Sequence, residues 1–399
     1  MFRTLDDYDT AGKTVLVRTD MNCPIDPDTM ELLGTRRIEE AAETLRDMPR
    51  ARAVVASHQG RVGNKDYTGM SRHAEVLRKM TGRDVTYVED VIGESARAAI
   101  SGMRDGQILL LDNLRLCAEE NYEFEPGAAA STVMVGRLGP LFDLCVLDSF
   151  PTAHRSHPSI VGFPRVLPAC AGRAAERELR SLDEIMTVAK APHVVVLGGA
   201  KVADRIEAMR MLIENGRADH ILLTGLIGSV FMRAQARLRS PLGIKREEEM
   251  VSRAHALIGE HPDVFATPVD VAVDRDGRRI EMDVREMGRD DQVADIGPKT
   301  IDYYARMISG AGTVFMSGPA GRFEDAEFSH GTRGLLRAVA GSMATTIVSG
   351  GHLGAALKME GLAGKIDHVS TAGGALVLYL TGKKLPMMAA LEEAAARSQ

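Results

Sequence analysis

Residues 194–207 read VVVLGGAKVADRIE, and this stretch decides the fold. Four apolar residues, three of them β-branched, run into Gly198-Gly199-Ala200-Lys201, and a pattern of helical period begins at Val202. An apolar run that does not alternate is a strand buried on both faces, as in a parallel sheet, followed here by a glycine turn and a helix start. The glycines let backbone N–H groups come close to a ligand, the helix N-terminus adds partial positive charge, and Lys201 and Arg205 lie one turn apart on one face. The chemistry this suits is a chain of phosphates. Neither GxxxxGK[ST] nor G-x-G-x-x-G is present, so the turn is neither standard phosphate loop. A tight strand-to-helix turn with a solvated lysine would explain GGAK as well.

The same kind of run recurs outward in both directions, at 15–17, 53–56, 108–111, 145–147, 221–223, 314–316 and 346–348. Segments of helical spacing separate these runs, at 37–48, 71–80, 174–186, 245–258 and 299–308. Such alternation predicts parallel sheets covered by helices on both faces. With 399 residues, the chain is too long for one ordinary core and fits two domains. The long helical segment 171–188, followed by Ala191-Pro192, is the expected connection between them.

Composition narrows the function. The chain is 45% hydrophobic and 26% charged, with a net charge of −6, which argues against nucleic acid as a partner and makes any basic site local. No apolar run approaches membrane-spanning length, and the N-terminus MFRTLDDYDTAGK has no apolar core of a signal peptide. Cys23, Cys117, Cys145 and Cys170 lie far apart with no CxxC spacing, so neither a zinc site nor a disulfide framework is expected. The cytoplasm is the expected location.

The residues just after each strand carry the chemistry, because open parallel sheets bind ligands outside the carboxyl ends of their strands. In the first half these ends carry Arg18 and Asp20, Ser57-His58, Asp112-Asn113 and Asp148; Arg37, Arg61, Arg115, His154 and Arg155 lie in or just after polar turns. Arginines on an acidic protein are usually surface ion-pair partners. Their recurrence behind strand ends instead favours a small anionic substrate, since the guanidinium fork matches phosphate and carboxylate oxygens. In the second half the ends carry Gly198-Gly199, Gly225, Ser317-Gly318 and Ser349-Gly350-Gly351, with Gly373-Gly374 before a further apolar stretch. Tight packing of helix on sheet would account for any one of these glycines. Repetition at four strand ends favours helix N-termini open to an anion.

At this point the chain resembles the phosphoglycerate kinase family, with SHQGR and its GNKDYT continuation most similar to the archaeal branch. The resemblance rests on LVRTDMNCP (16–24), SHQGR (57–61), DNLRL (112–116), LDSFPTAHRSHPS (147–159), GGAKVADR (198–205), PVDV (268–271), DIGPKT (295–300), SGPAGRFE (317–324), SGGH (349–352) and HVSTAGGA (368–375), in the family's order. It implies an α/β fold of two doubly wound, Rossmann-like parallel-sheet domains joined by a hinge helix. Residues 1–170 would bind 3-phosphoglycerate, 171–190 connect, and 191–385 bind nucleotide, with a C-terminal tail, 386–399, packing back on the first domain.

The implied reaction is reversible phosphoryl transfer between 1,3-bisphosphoglycerate and ADP, giving 3-phosphoglycerate and MgATP. Carried over by motif, Asp20, Asn22, Arg37, His58, Arg61, Arg115 and Arg155 form the acid site. Gly198, Gly199, Lys201, Arg205, Gly225, Glu324, Gly350, Gly351 and His352 serve the nucleotide, with Glu324 at the ribose hydroxyls. Arg37, Lys201, Gly351 and Gly374 take part in the transfer, and Gly373 lies beside the transferred group. No nucleic-acid or membrane partner is expected, and the state is a monomer or small homo-oligomer.

The sequence departs from the family in Ser317 and Ala320 of SGPAG, in Arg322 where an apolar residue is usual, in Arg205 for a common lysine, and in His352 for an aspartate. Mg²⁺ is therefore expected to ride on the nucleotide, without a direct protein ligand. Two alternatives share the fold class: a catalytically weak paralogue that binds nucleotide or sugar phosphate as a regulatory module, and a two-domain glycosyltransferase using Glu324 for a ribose.

Overall fold

Each of the eight apolar runs forms a strand because each is long enough, and apolar enough on both faces, to be buried between two layers of helices. In the computed structural model, which describes residues 2–370 and 372–397, the strands form two six-stranded parallel sheets. Met1, Thr371 and the last two residues of the expected 386–399 tail lie outside the described residues.

The first sheet comprises β1 (Thr14–Thr19), β2 (Arg52–Ala56), β3 (Val85–Val88), β4 (Ile108–Leu111), β5 (Leu144–Asp148) and β6 (Ala169–Ala171), in the order β3-β4-β2-β1-β5-β6. Every residue of β1, β4 and β5 is buried. Val15, Val17, Val55, Leu110 and Val146 pack with Ile38, Ala41 and Leu45 of the helix Arg36–Arg46 and with Ala74 and Leu77 of Ser71–Thr81. The alternate residues Leu16, Val54, Leu109 and Leu147 are buried as well.

In the second sheet, β7 (His193–Leu197), β8 (His220–Leu223), β9 (Phe265–Ala266), β13 (Thr313–Ser317), β14 (Thr345–Ser349) and β15 (His368–Ser370) run in the order β15-β14-β13-β7-β8-β9. Between β9 and β13 the chain inserts β10 (Asp270–Arg275), β11 (Arg278–Asp283) and β12 (Val293–Ile296), an antiparallel sheet in the order β11-β10-β12. This small sheet is an addition to the two expected parallel sheets. Its hairpin turns at Asp276-Gly277, both at positive φ (54° and 76°), the backbone an Asp-Gly two-residue turn demands.

Two compact units emerge, one of Met1–Arg180 with Lys384–Gln399 and the other of Ser181–Lys383. The division falls inside the helix Arg173–Val188. In the first unit the helix Pro386–Arg397 buries Met387, Leu391 and Ala394; its Met387 N–H donates to Ala153 O at 3.1 Å, and its Glu393 pairs with Arg165 at 2.7 Å. In each sheet the chain leaves its first strand in one direction and later returns to that strand's other side, between β1 and β5 and between β7 and β13. Such reversals open the crevices in which α/β sheets bind ligands.

Candidate active site

In the first unit, buried amides hold the loops after β1, β2 and β4 together. Gln59, wholly buried, exchanges two hydrogen bonds with the backbone of Cys23, accepting from N and donating to O at 3.0 Å each. Its own N–H donates to Asn113 Oδ1 (3.1 Å), its carbonyl accepts from Asn113 Nδ2 (2.7 Å), and His73 Nε2 lies 3.0 Å from its Oε1. Asn22 Oδ1 accepts from Gly60 N at 2.9 Å. Gly60 is at φ +64°, and a Cβ there would lie 2.4 Å from Asp66 O, so only glycine fits where the loop crosses itself.

On this frame the basic side chains gather. Asp20, 6% exposed, forms an ion pair with Arg37. Burial by itself would raise the Asp20 pKa, but Arg37 above all, with the Asn22 N–H and Arg18, brings it below the ordinary value. His58 is buried with its Nδ1 unpartnered, and desolvation holds its pKa well below 6.5, helped by Arg18, Arg115 and Arg37 against Asp20; it is a neutral imidazole. Arg115 donates to Gly60 O, and burial above all lowers its pKa, with Arg18, Arg61 and Arg155 adding to the effect and Glu120 opposing it. Arg155 pairs with Glu123 at 2.8 Å. Arg61 and Arg115 form no ion pair among the described residues, whereas Arg37 and Arg155 are paired with Asp20 and Glu123.

Two strand-end residues turn away from the crevice. Arg18 is 1% exposed and points into the core, where Nε donates to Ser159 Oγ at 2.7 Å and Nη2 lies 3.6 Å from buried Glu120. A buried guanidinium needs such neutralisation, and Glu120 supplies it. Asp148 accepts from Thr44 Oγ1 (2.6 Å) and from Ala175 N (2.9 Å), so it caps the start of the helix Arg173–Val188.

In the second unit the glycines divide into two kinds. A Cβ on Gly198 would lie 2.2 Å from Pro319 O, and one on Gly225 would lie 3.0 Å from Gly199 N. Three backbone bonds interlock these loops: Gly198 N to Ser317 O (2.9 Å), Gly199 N to Pro319 O (3.0 Å) and Gly225 N to Ala320 O (3.0 Å). Gly198 and Gly225 are thus explained by close backbone packing at the β7/β13 reversal. Around Gly350, Gly351 and Gly373, by contrast, a Cβ would meet nothing within 4 Å. Gly351 and Gly374 start the helices Gly351–Met359 and Gly374–Leu380, so these N-termini face open space.

Lys201 is exposed at the N-cap of the helix Val202–Glu214. One turn on, Arg205 is drawn inward, donating from Nη2 to Ser317 Oγ at 2.8 Å; its Nη1 is buried without a partner, and desolvation lowers its pKa to about 10. The two cations of GGAKVADR therefore share a helix face without sharing an environment. Glu324 and His352, both about two-thirds exposed, face each other with Oε1 and Nε2 3.5 Å apart. Ser317 and Ser349 lie with hydroxyls 3.4 Å apart, and Ser349 Oγ donates to Ala372 O at 2.8 Å, tying together the ends of β13, β14 and β15.

A family model for phosphoglycerate kinase matches residues 5–383. The chain belongs to the phosphoglycerate kinase family. It is 40% identical over 404 residues to phosphoglycerate kinase of Methanothermus fervidus, covering 100% of this chain and 98% of that one. It is 42% identical over 402 residues to the enzyme so named from Methanothermobacter thermautotrophicus, covering 98% and 97%. The crystal structure of phosphoglycerate kinase from Pyrococcus horikoshii OT3 matches with a TM-score of 0.91 at 34% identity, over 100% of both chains. That from Coxiella burnetii matches at 0.76 and 28%, over 99% and 100%.

Within this phosphoglycerate kinase fold, the residues missed at the sequence level are Gln59 and Glu120, while Asn113, expected at a strand end, proves to be a partner of Gln59. Both stand inside or near the motifs that carry the resemblance, but a single neutral amide gives no charge pattern, and the partner of a buried arginine is a tertiary fact.

Proposed function

We propose that the first unit binds 3-phosphoglycerate, or its acyl phosphate, at Asp20, Asn22, Arg37, His58, Arg61, Arg115 and Arg155. The second binds ATP or ADP at the glycine turns, with Lys201, Arg205, Gly351 and Gly374 serving the phosphates and Glu324 the ribose. The reaction is the family's reversible phosphoryl transfer between 1,3-bisphosphoglycerate and ADP. The single observation that carries the site reading is that Arg61 acts on Arg115, and Arg115 and Arg37 on His58, while neither Arg61 nor Arg115 has an ion-pair partner among the described residues, an arrangement that a bound anion would stabilise.

Phosphoryl transfer demands in-line placement and neutralisation of the equatorial oxygens rather than a protein nucleophile. Asp20 holds the Arg37 fork in place, the neutral His58 can donate without adding charge, and the buried, unpartnered Nη1 of Arg205 supplies a donor in want of an acceptor. Lys201 acts on charge that develops during transfer. Mg²⁺ would neutralise the nucleotide phosphates; it is hard and oxygen-seeking, so the His352 imidazole suits it poorly and the phosphates carry it. The cytoplasm remains the proposed compartment, in keeping with four free thiols, three of them buried.

The test is formation of acyl phosphate from 3-phosphoglycerate with ATP or GTP, trapped as the hydroxamate. Turnover supports the reading. Calorimetric binding of 3-phosphoglycerate without turnover by either nucleotide would instead favour a regulatory binding module.

A further inference from the structure

The hairpin β10–β11 places Asp274 directly opposite Arg279 in its register, and both hold the same short loop. Asp274 Oδ2 accepts from Arg322 Nη2 at 2.5 Å, and the Arg322 guanidinium lies 4.2 Å over the centre of the buried Phe328 ring. Arg279, whose side chain is 7% exposed, donates to Asp295 Oδ2 at 2.8 Å and to the carbonyl of Glu327 at 3.1 Å. One grip falls two residues before Glu324 and the other three residues after it. The backbone closes the same loop, with Arg322 N donating to Ala294 O at 2.9 Å and Asp325 N to Arg322 O at 3.0 Å. Gly321 fits only without a side chain, since a Cβ would lie 2.5 Å from Ala294 O.

We propose that Arg322 is a positioning residue that fixes the Glu324 carboxylate for the two ribose hydroxyls, which makes the antiparallel sheet a device for selecting ribonucleotides over deoxynucleotides. The proposal deepens the reading above and rests on Glu324 meeting the ribose. A half-exposed ion pair alone contributes little to stability. The guanidinium is, however, restrained from two sides, by a carboxylate and by a ring face, so its loss frees the loop to move without opening the core. The effect belongs in nucleotide KM and leaves kcat alone, because the ribose lies away from the transferred group.

Steady-state kinetics with ADP and 2′,3′-dideoxy-ADP on the full chain test this. Arg322→Leu is expected to raise the ADP KM about five- to tenfold, the loss of one well-placed hydrogen bond, with the dideoxy KM and kcat held within about twofold. Arg322→Lys should recover part of the loss, and adding Asp274→Asn to Arg322→Leu should cost nothing more. An unchanged ADP KM, or an equal rise for both nucleotides, overturns the brace. Glu324→Gln separates the two levels. If it lowers the preference for ADP and Arg322→Leu does not, only the brace fails; if it leaves the preference intact, the ribose reading has failed and the brace with it.

Discussion

Arg37 and Arg61 carry the same charge toward the same proposed anion, yet their surroundings predict different consequences of loss. Arg61 has no ion-pair partner among the described residues, whereas Arg37 neutralises a buried carboxylate. Either substitution to alanine should weaken 3-phosphoglycerate binding by about 1.5–3 kcal/mol, the range for bonds to charged groups. Arg37→Ala should also lower the melting temperature, because Asp20 is left buried and unpaired, while Arg61→Ala should not. Calorimetry and thermal melts on both variants check this, and equal melting behaviour would contradict the Asp20–Arg37 assignment. A second residue-scale effect is acid sensitivity. Desolvation lowers the pKa of buried His73 to about 4, against 6.5 when unfolded. The unfolded chain therefore takes up the proton first: the histidine's contribution is complete above pH 6.5 and is lost as pH falls through about 4, to the extent of about 3 kcal/mol. His73→Gln should flatten the pH dependence of the urea midpoint between pH 7 and 4. A slope as steep as the wild type's would show that other groups dominate.

Among elements, strand visibility in the sequence followed position in the sheet. The eight apolar runs are the eight inner strands of the two parallel sheets, and β3, β6, β9 and β15, which gave no run, are the four edges of those sheets. An inner strand is covered by helices on both faces and paired on both sides, so its middle carries an unbroken apolar run. An edge can be as short as Phe265–Ala266 or half exposed like Val85–Val88. The hairpin β10–β11 offered the short apolar run Val271-Ala272-Val273, the Asp-Gly turn and the alternation of Ile280 and Met282 as signals. The glycine turns make a further prediction at this scale. Gly198→Ala meets Pro319 O and should destabilise the second unit by about 1–3 kcal/mol. Gly351→Ala meets nothing and should leave stability intact while slowing turnover, if a phosphate comes close there. Denaturation midpoints and kcat on the pair decide it, and a stable, active Gly198→Ala would refute the packing account.

For the whole molecule, the chain's last helix belongs to the unit that its first residues build. Deleting 384–399 removes Met387 and Leu391 from the core of the first unit, at about 1.5–3 kcal/mol each. Hydrogen exchange should rise around Phe163–Val166 and β6 and stay unchanged in β13 and β14. Uniform loss of protection would mean that the two units do not unfold separately.

Local sequence was enough for what depends on neighbours along the chain: the buried strands, the helices between them and the residues delivered to each strand end. Apolar period and turn chemistry act over a few positions, and ten short motifs in order carried the resemblance. Tertiary structure decided every partner. It turned Arg18 to Glu120 and Asp148 to a helix start, left Arg61 and Arg115 without an ion-pair partner among the described residues, and sorted the glycines into those that pack and those that face open space. These outcomes depend on which distant backbones meet, and no local pattern encodes a meeting of residues 198 and 319 or of 59 and 113.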